Sequence, residues 1–162
     1  MLYYLNVTLH VLAALFWLGG MFFLAVVGAP VLRKVDPPEV RARLFNQLGV
    51  AFRRAGWIAI AVLILTGIGN LQFRGLLHGA VLGSASFWTT RFGRTLAWKL
   101  AAVLIMIVVS AVHDFVLGPL AFRTAGTPAA ARWRRWSAWL ARINAIVGIF
   151  LVYFAVRLAR GG

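Results

Sequence analysis

The stretch that decides the fold is residues 2–32, LYYLNVTLHVLAALFWLGGMFFLAVVGAPVL, which contains no Asp, Glu, Lys or Arg. A helix of roughly 20 such residues crosses a hydrocarbon core about 30 Å thick. No Lys or Arg precedes Arg33, so the stretch lacks the basic leader of a cleavable signal peptide, and we expect it to stay in the mature protein. It therefore predicts a transmembrane helix.

Three further apolar stretches have a similar character. They cover about residues 55–73, 95–122 and 136–156. The whole chain of 162 residues is 62% hydrophobic, whereas soluble domains are nearer half. The sequence predicts an all-α fold, in which residues 1–162 form a single integral membrane domain, a bundle of four transmembrane helices.

Basic residues are grouped at the ends of these spans. The net charge of +14 therefore indicates contact with the lipid bilayer rather than with nucleic acid. Six basic residues lie on one side of the predicted membrane and ten on the other. The ten are Arg33, Lys34, Arg41, Arg43, Arg53, Arg54, Arg123, Arg132, Arg134 and Arg135. Positive charge usually stays inside, so we expect both termini outside a prokaryotic-type inner (cytoplasmic) membrane.

Polar residues inside the spans are the candidates for function, because ionisable groups are costly in hydrocarbon. The ionisable ones are His10, Lys99, His113, Asp114 and Arg142. Helical spacing places two sets on single faces: Asn6, His10, Trp17 and Met21 in the first span, and Lys99, Met106 and His113 in the third. Nitrogen ligands, thioethers and an aromatic plate suit a flat apolar cofactor with a metal centre, although helix packing also explains such stripes.

Depth along the helices limits which groups could bind a haem iron together with His10, and it makes a single haem bridged by His10 and His113 strained. If the first and third spans run parallel, His10 and Lys99 lie at a similar level, whereas His113 lies deeper. The candidates for a second ligand are His78, Lys99, Met106 and His113. The chain has no cysteine, which excludes thiolate metal sites.

Nearer the inner surface, we expect Asp114 and Arg142 to form an ion pair, which satisfies both charges without implying chemistry. Alternatively, Arg142 and His113 bind a carboxylate of a cofactor.

With these residues laid out, the chain resembles the superfamily of small four-helix membrane proteins that includes the CopD-type copper resistance domain and the HemJ-type protoporphyrinogen oxidase. The motifs that carry the resemblance are His10 with Trp17-Leu18-Gly19-Gly20 and Pro30, Trp98-Lys99-Leu100 with His113, and Arg142-Ile143-Asn144. The resemblance implies haem b binding at His10, a functional role for Lys99, and cofactor contacts for Asn144. In HemJ-like proteins the last motif continues into an acidic residue and a proline, which are Ala145 and Ile146 here.

The main hypothesis is a haem b-binding membrane protein in electron transfer or tetrapyrrole redox chemistry, with a quinone, a porphyrin or a membrane redox protein as its partner. As an enzyme it would be a membrane oxidoreductase, either protoporphyrinogen oxidase-like or quinone-linked. One alternative is a copper-handling protein of the CopD type, for which His10, Met21, Met106 and His113 are permissible ligands. Another is a non-catalytic accessory subunit of a membrane complex. The sequence leaves open whether the protein forms a homo-oligomer.

Overall fold

The computed structural model describes residues 1–124 and 126–162. This part of the chain is 88% helical and has no strand. Its helices long and apolar enough to cross a membrane are α1 (Leu2–Leu32), α2 (Pro38–Phe73), α5 (Arg91–Arg123) and α6 (Pro128–Ala159). Two short helices, α3 (Gly79–Leu82) and α4 (Ala85–Thr89), precede α5. The predicted all-α fold with four transmembrane helices is confirmed.

The long helices leave most of their apolar side chains uncovered. In the most apolar window of each helix, only 6% to 22% of the residues are buried by the rest of the chain. Leu104 on α5 is 63% exposed and Ile149 on α6 is 54% exposed. Apolar surface on this scale is unfavourable in water and favourable in hydrocarbon, so these faces contact lipid.

The first compact unit covers Met1–Leu77 and consists of an antiparallel hairpin of α1 and α2. At one end, the ring of Tyr3 lies 5.8 Å from that of Phe73. Towards the other end, Gly20 lies so close to the ring of Phe52 that a Cβ atom would overlap it. A larger residue at Gly20 would therefore displace the ring of Phe52 from the interface of the two helices.

The second compact unit covers His78–Gly162 and is built around an antiparallel hairpin of α5 and α6. Near its middle, the side chains of Ser110 and Asn144 are joined by a hydrogen bond of 2.8 Å. At one end, Gly162 lies against the backbone of Phe92 near the start of α5. These contacts fix the register of the two helices.

Both α1 and α5 contain a π-helical turn just before a proline. The turns cover Leu24–Gly28, ahead of Pro30, and Val112–Leu117, ahead of Pro119. Proline lacks an N–H donor and its ring displaces the carbonyl four residues earlier, so the helix widens to relieve the clash. Each turn shifts the helical register, and the second one contains His113.

Two of the helices begin more than one turn earlier than the predicted spans. The spans expected from about residues 55 and 136 are parts of helices that begin at Pro38 and Pro128. Proline is favoured in the first turn of a helix because its missing donor is not needed there. The residues between Pro38 and the predicted start of the second span are therefore the first part of α2.

Candidate functional site

The most developed polar cluster lies in the first unit, around His10. Its imidazole Nδ1 is 2.7 Å from the hydroxyl oxygen of Thr66 on α2. Thr66 is buried, with an exposed fraction of 7%, and its hydroxyl is also 2.6 Å from the backbone carbonyl of Val62. His10 on α1 and its hydrogen-bond partner on α2 therefore face each other between two membrane-spanning helices.

One assignment of the imidazole proton satisfies both contacts. A threonine hydroxyl has one proton, and Thr66 donates it to the carbonyl of Val62. The hydroxyl oxygen then accepts a hydrogen bond from Nδ1–H of His10. The lone pair of the neutral ring consequently resides on Nε2, the nitrogen through which a histidine oriented in this way binds a metal.

Asn6 lies about one turn before His10 and extends the cluster. Its side-chain nitrogen donates to the backbone carbonyl of Thr66 and to the side-chain oxygen of Asn70, each at 2.9 Å. Thr66 thus makes a second interhelical contact, through its backbone carbonyl. We call Asn6, His10, Thr66 and Asn70 the His10 cluster.

Of the two glycines of α2 beside the His10 cluster, Gly69 is the one that allows it to form. A Cβ atom at Gly69 would come within 2.6 Å of the side-chain oxygen of Asn6, which is closer than real contacts allow. A Cβ atom at Gly67 would lie 3.6 Å from Cε1 of His10, an ordinary van der Waals distance. The segment from Thr66 to Asn70 therefore provides hydrogen-bond partners for Asn6 and His10 and also allows α1 to approach α2 closely.

Trp17, which was predicted as an aromatic plate, lies in the packed interface of the same hairpin. It is 5% exposed, and a Cβ atom at Gly56 of α2 would be 3.8 Å from its indole ring. Packing between α1 and α2 accounts for this position.

In the second unit, His113 has a carboxylate partner. Its Nδ1 is 2.8 Å from Oδ1 of Asp114, and both residues belong to the π-helical turn of α5. A carboxylate that accepts a hydrogen bond from Nδ1 leaves Nε2 as the binding nitrogen and orients the ring. His10 and His113 thus share the same arrangement, with a different partner at Nδ1.

Asn144 is the most buried polar candidate on α6, at 6% exposed. Its side-chain nitrogen donates to the hydroxyl of Ser110, whereas its side-chain oxygen has no hydrogen-bond partner among the described residues. Met106, one turn before Ser110, is 3% exposed. A buried acceptor without a hydrogen bond is unfavourable in hydrocarbon. The side-chain oxygen of Asn144 can receive one from water or from a bound molecule.

Arg142 is on the opposite face of α6 from Asn144 and is exposed. Its guanidinium lies over the ring of Trp139, 5.3 Å from the centroid. Within the described part of the chain, the expected ion pair between Arg142 and Asp114 is not formed. Two residues along a helix correspond to about 200°, so an inward Asn144 turns Arg142 outward.

Lys99 and His78 are the remaining predicted site residues. Lys99 is half-buried on α5, and the distance in sequence from Lys99 to Pro119 equals that from His10 to Pro30. His78 is exposed and precedes the short helix α3, where its carbonyl accepts from the backbone nitrogens of Val81 and Leu82. His78 is thus outside the long helices.

From the sequence, Thr66 is one of several neutral polar residues within the spans, beside Asn6, Asn70, Ser110 and Asn144, and nothing there assigns it to His10. What the sequence did not give was the register between α1 and α2, which brings Thr66 to His10 rather than to any other residue of α1.

Comparison with known proteins identifies the family of this chain. The model of the family described as Copper resistance protein D matches residues 46–158. The chain belongs to the CopD family. It is also 31% identical over 154 residues to an uncharacterized protein of Aquifex aeolicus (strain VF5), an alignment that covers 94% of this chain and 92% of the relative. No solved structure matches the chain.

The match to the CopD family covers α5 and all but the last residue of α6, together with most of α2, but not α1. It therefore includes Thr66, His113 and Asn144, while His10 and Trp17 lie outside it. The resemblance to CopD-type proteins expected from the sequence is confirmed.

Proposed function

We propose that this CopD-family protein handles copper within the membrane, binding the ion as cargo through His10. The family match supports a copper-related role. The donors in the spans suit it, because imidazole and thioether groups are soft enough to bind Cu(I). In the absence of cysteine, His10, His113, Met21 and Met106 are the donors of this type in the spans.

The donor set favours Cu(I) over a harder metal. Among the described residues, no three or more His, Cys, Asp or Glu side chains form a group that could hold a metal ion. Metals that require several nitrogen and oxygen ligands therefore fit poorly. Cu(I) accepts soft thioether ligands beside imidazole, and a cargo site has to release its ion as well as bind it.

The observation that carries the proposal is the hydrogen bond from His10 Nδ1 to Thr66. Metal-binding histidines almost always donate their other ring nitrogen to an oriented acceptor, which sets the tautomer and raises the basicity of the ligand nitrogen. His113 has the same feature through Asp114. The spans of this chain contain two histidines, and both have such an acceptor at Nδ1.

Copper titration of the purified protein tests this proposal. The detergent-solubilised protein is titrated anaerobically with Cu(I) against a chromogenic chelator, and His10→Ala is compared with the matched control His78→Ala. We expect His10→Ala to lose high-affinity Cu(I) binding and His78→Ala to keep it, since His78 is exposed outside the long helices. Equal affinities of His10→Ala and the wild type would refute a role for His10 in copper binding.

A second candidate function rests on the same hydrogen bond. An imidazole with Nδ1 fixed and Nε2 as ligand also suits the axial position of haem b, the group that the HemJ-type resemblance implies. Its role would be electron transfer or tetrapyrrole redox chemistry, with a quinone or porphyrin as partner. The absorption spectrum decides between the two: a Soret band that disappears in His10→Ala supports haem, and a colourless copper-binding protein supports cargo handling. A protein that binds neither would contradict both proposals and leave the accessory subunit as the remaining hypothesis.

A further inference from the structure

A groove on the outer surface of α6 combines charge and aromatic rings in a fixed order. It is lined by Arg132, Arg135, Trp136, Trp139 and Ile143. All five are exposed, with exposed fractions of 57% for Trp136 and 54% for Trp139. Arg135 and Trp136 are adjacent, but each of them lies three or four residues from both Arg132 and Trp139, and Ile143 lies four beyond Trp139, so the five residues share one side of the helix. We call these five residues the α6 groove.

The α6 groove follows the polarity of a phospholipid along the helix axis. The two arginines lie nearest the start of α6 at Pro128, the indole rings come next, and Ile143 lies deepest. From Arg132 to Ile143 the helix rises about 16 Å at 1.5 Å per residue. A phospholipid has its phosphate, its glycerol esters and its acyl chains in the same order, and indole rings are enriched at the level of the esters.

The charge of the α6 groove is not neutralised within the described part of the chain. The whole sequence has three acidic residues, of which Asp36 lies beside Arg41 and Asp114 beside His113, and neither Arg132 nor Arg135 forms an ion pair with a described residue. The first turn of α6 contains no acidic residue, and the positive end of the helix dipole also lies there. The surface therefore attracts an anion.

The opposite end of α6 provides the contrast. It has two arginines, Arg157 and Arg160, and Arg157 lies over a single aromatic ring, that of Tyr153, at 5.9 Å. The first end carries three exposed arginines, Arg132, Arg134 and Arg135, and two of them line a groove together with two indole rings.

We infer that the α6 groove binds an anionic phospholipid, whose phosphate contacts Arg132 and Arg135 and whose acyl chain lies along Trp139 and Ile143. A zwitterionic lipid would bring its own cation to the arginines and is disfavoured. This inference is independent of the proposed copper function, because none of its residues belongs to the His10 cluster.

Native mass spectrometry of the full-length protein in detergent tests the inference with dioleoyl phosphatidylglycerol and dioleoyl phosphatidylcholine as probes. We expect preferential retention of phosphatidylglycerol by the wild type. The double variant Arg132→Gln/Arg135→Gln should weaken that binding by about five-fold per arginine, because each basic group at an anionic membrane surface contributes by about that factor.

Two controls distinguish a specific lipid-binding site from non-specific attraction of an anionic lipid to basic residues. Arg157→Gln/Arg160→Gln removes the same charge from the other end of α6 and should retain phosphatidylglycerol as the wild type does. Arg132→Lys/Arg135→Lys keeps the charge and should retain most of the binding.

Three results would overturn the inference. The first is unchanged binding of phosphatidylglycerol by Arg132→Gln/Arg135→Gln. The second is an equal loss of that binding in Arg157→Gln/Arg160→Gln. The third is a lipid-free dimer that dissociates in Arg132→Gln/Arg135→Gln. The last result would identify the α6 groove as an interface between copies of the chain.

Discussion

The substitution Thr66→Val tests the His10 cluster most directly, because valine has nearly the same shape as threonine but lacks the hydroxyl. It removes the acceptor that lies 2.7 Å from Nδ1 of His10. A buried donor left without a partner costs about 1–3 kcal/mol. The ring of His10 can avoid most of this cost by moving its proton to Nε2, so we expect the free energy of unfolding to fall by only about 1 kcal/mol, the lower end of that range.

The same proton shift has a larger effect on metal binding. A ring protonated at Nε2 no longer offers the lone pair that His10 presents in the wild type, and the ring is no longer held by Thr66. Loss of such an orienting partner typically lowers metal affinity by about 10- to 100-fold. The anaerobic Cu(I) titration against a chelator measures this change, and haem content measures it if the protein is isolated with haem.

Two variants control the experiment. Thr66→Ser keeps the hydroxyl and should retain the wild-type affinity. Thr95 is also buried, but its hydroxyl donates to the carbonyl of Arg91 on its own helix, at 2.9 Å. Thr95→Val should therefore leave the affinity unchanged. The reasoning is refuted if Thr66→Val binds the ligand as tightly as the wild type, or if Thr95→Val weakens binding equally.

Three further predictions follow from the packing and the charges. Gly69→Ala should destabilise the protein by about 1–3 kcal/mol through steric overlap, whereas Gly67→Ala should be tolerated, and thermal unfolding of the pair in detergent checks the difference. Asn144→Leu should change the free energy of unfolding by about 0.6 kcal/mol or less, the average for a hydrogen bond inside a membrane protein, and a loss of bound ligand with unchanged stability would instead indicate a binding role. Reporter fusions at Gly162 should be external and fusions near Asp36 internal, and the opposite pattern would overturn the proposed orientation.

The four transmembrane helices could be predicted from the sequence because hydrocarbon imposes a simple requirement on length and polarity. The ends of the helices could not, since α2 continues without a break from Pro38 through a basic segment into its apolar part. Hydropathy detects the apolar part alone. Proline at the first turn was the better signal for where α2 begins.

The candidate site could be predicted in part. His10 was identified because a histidine is costly inside a span, and the structure gives it a buried partner in Thr66. The expected pair of Asp114 and Arg142 failed for two physical reasons. Asp114 is in a π-helical turn, where a period of 3.6 residues does not apply, and Arg142 is turned outward by the burial of Asn144. Periodicity gives faces only for regular helices.

Copper and haem differ in how they would interact with Lys99. In α5, Lys99 precedes Pro119 by the same number of residues as His10 precedes Pro30 in α1. A protonated lysine has three donors and no lone pair, so it cannot bind a copper cation and repels one nearby. The same ammonium group would stabilise a haem propionate or another carboxylate. A copper-handling protein with a charged Lys99 therefore has to place its ion away from that side chain. The role of Lys99 thus separates the two proposed functions even though both use His10 in the same tautomer.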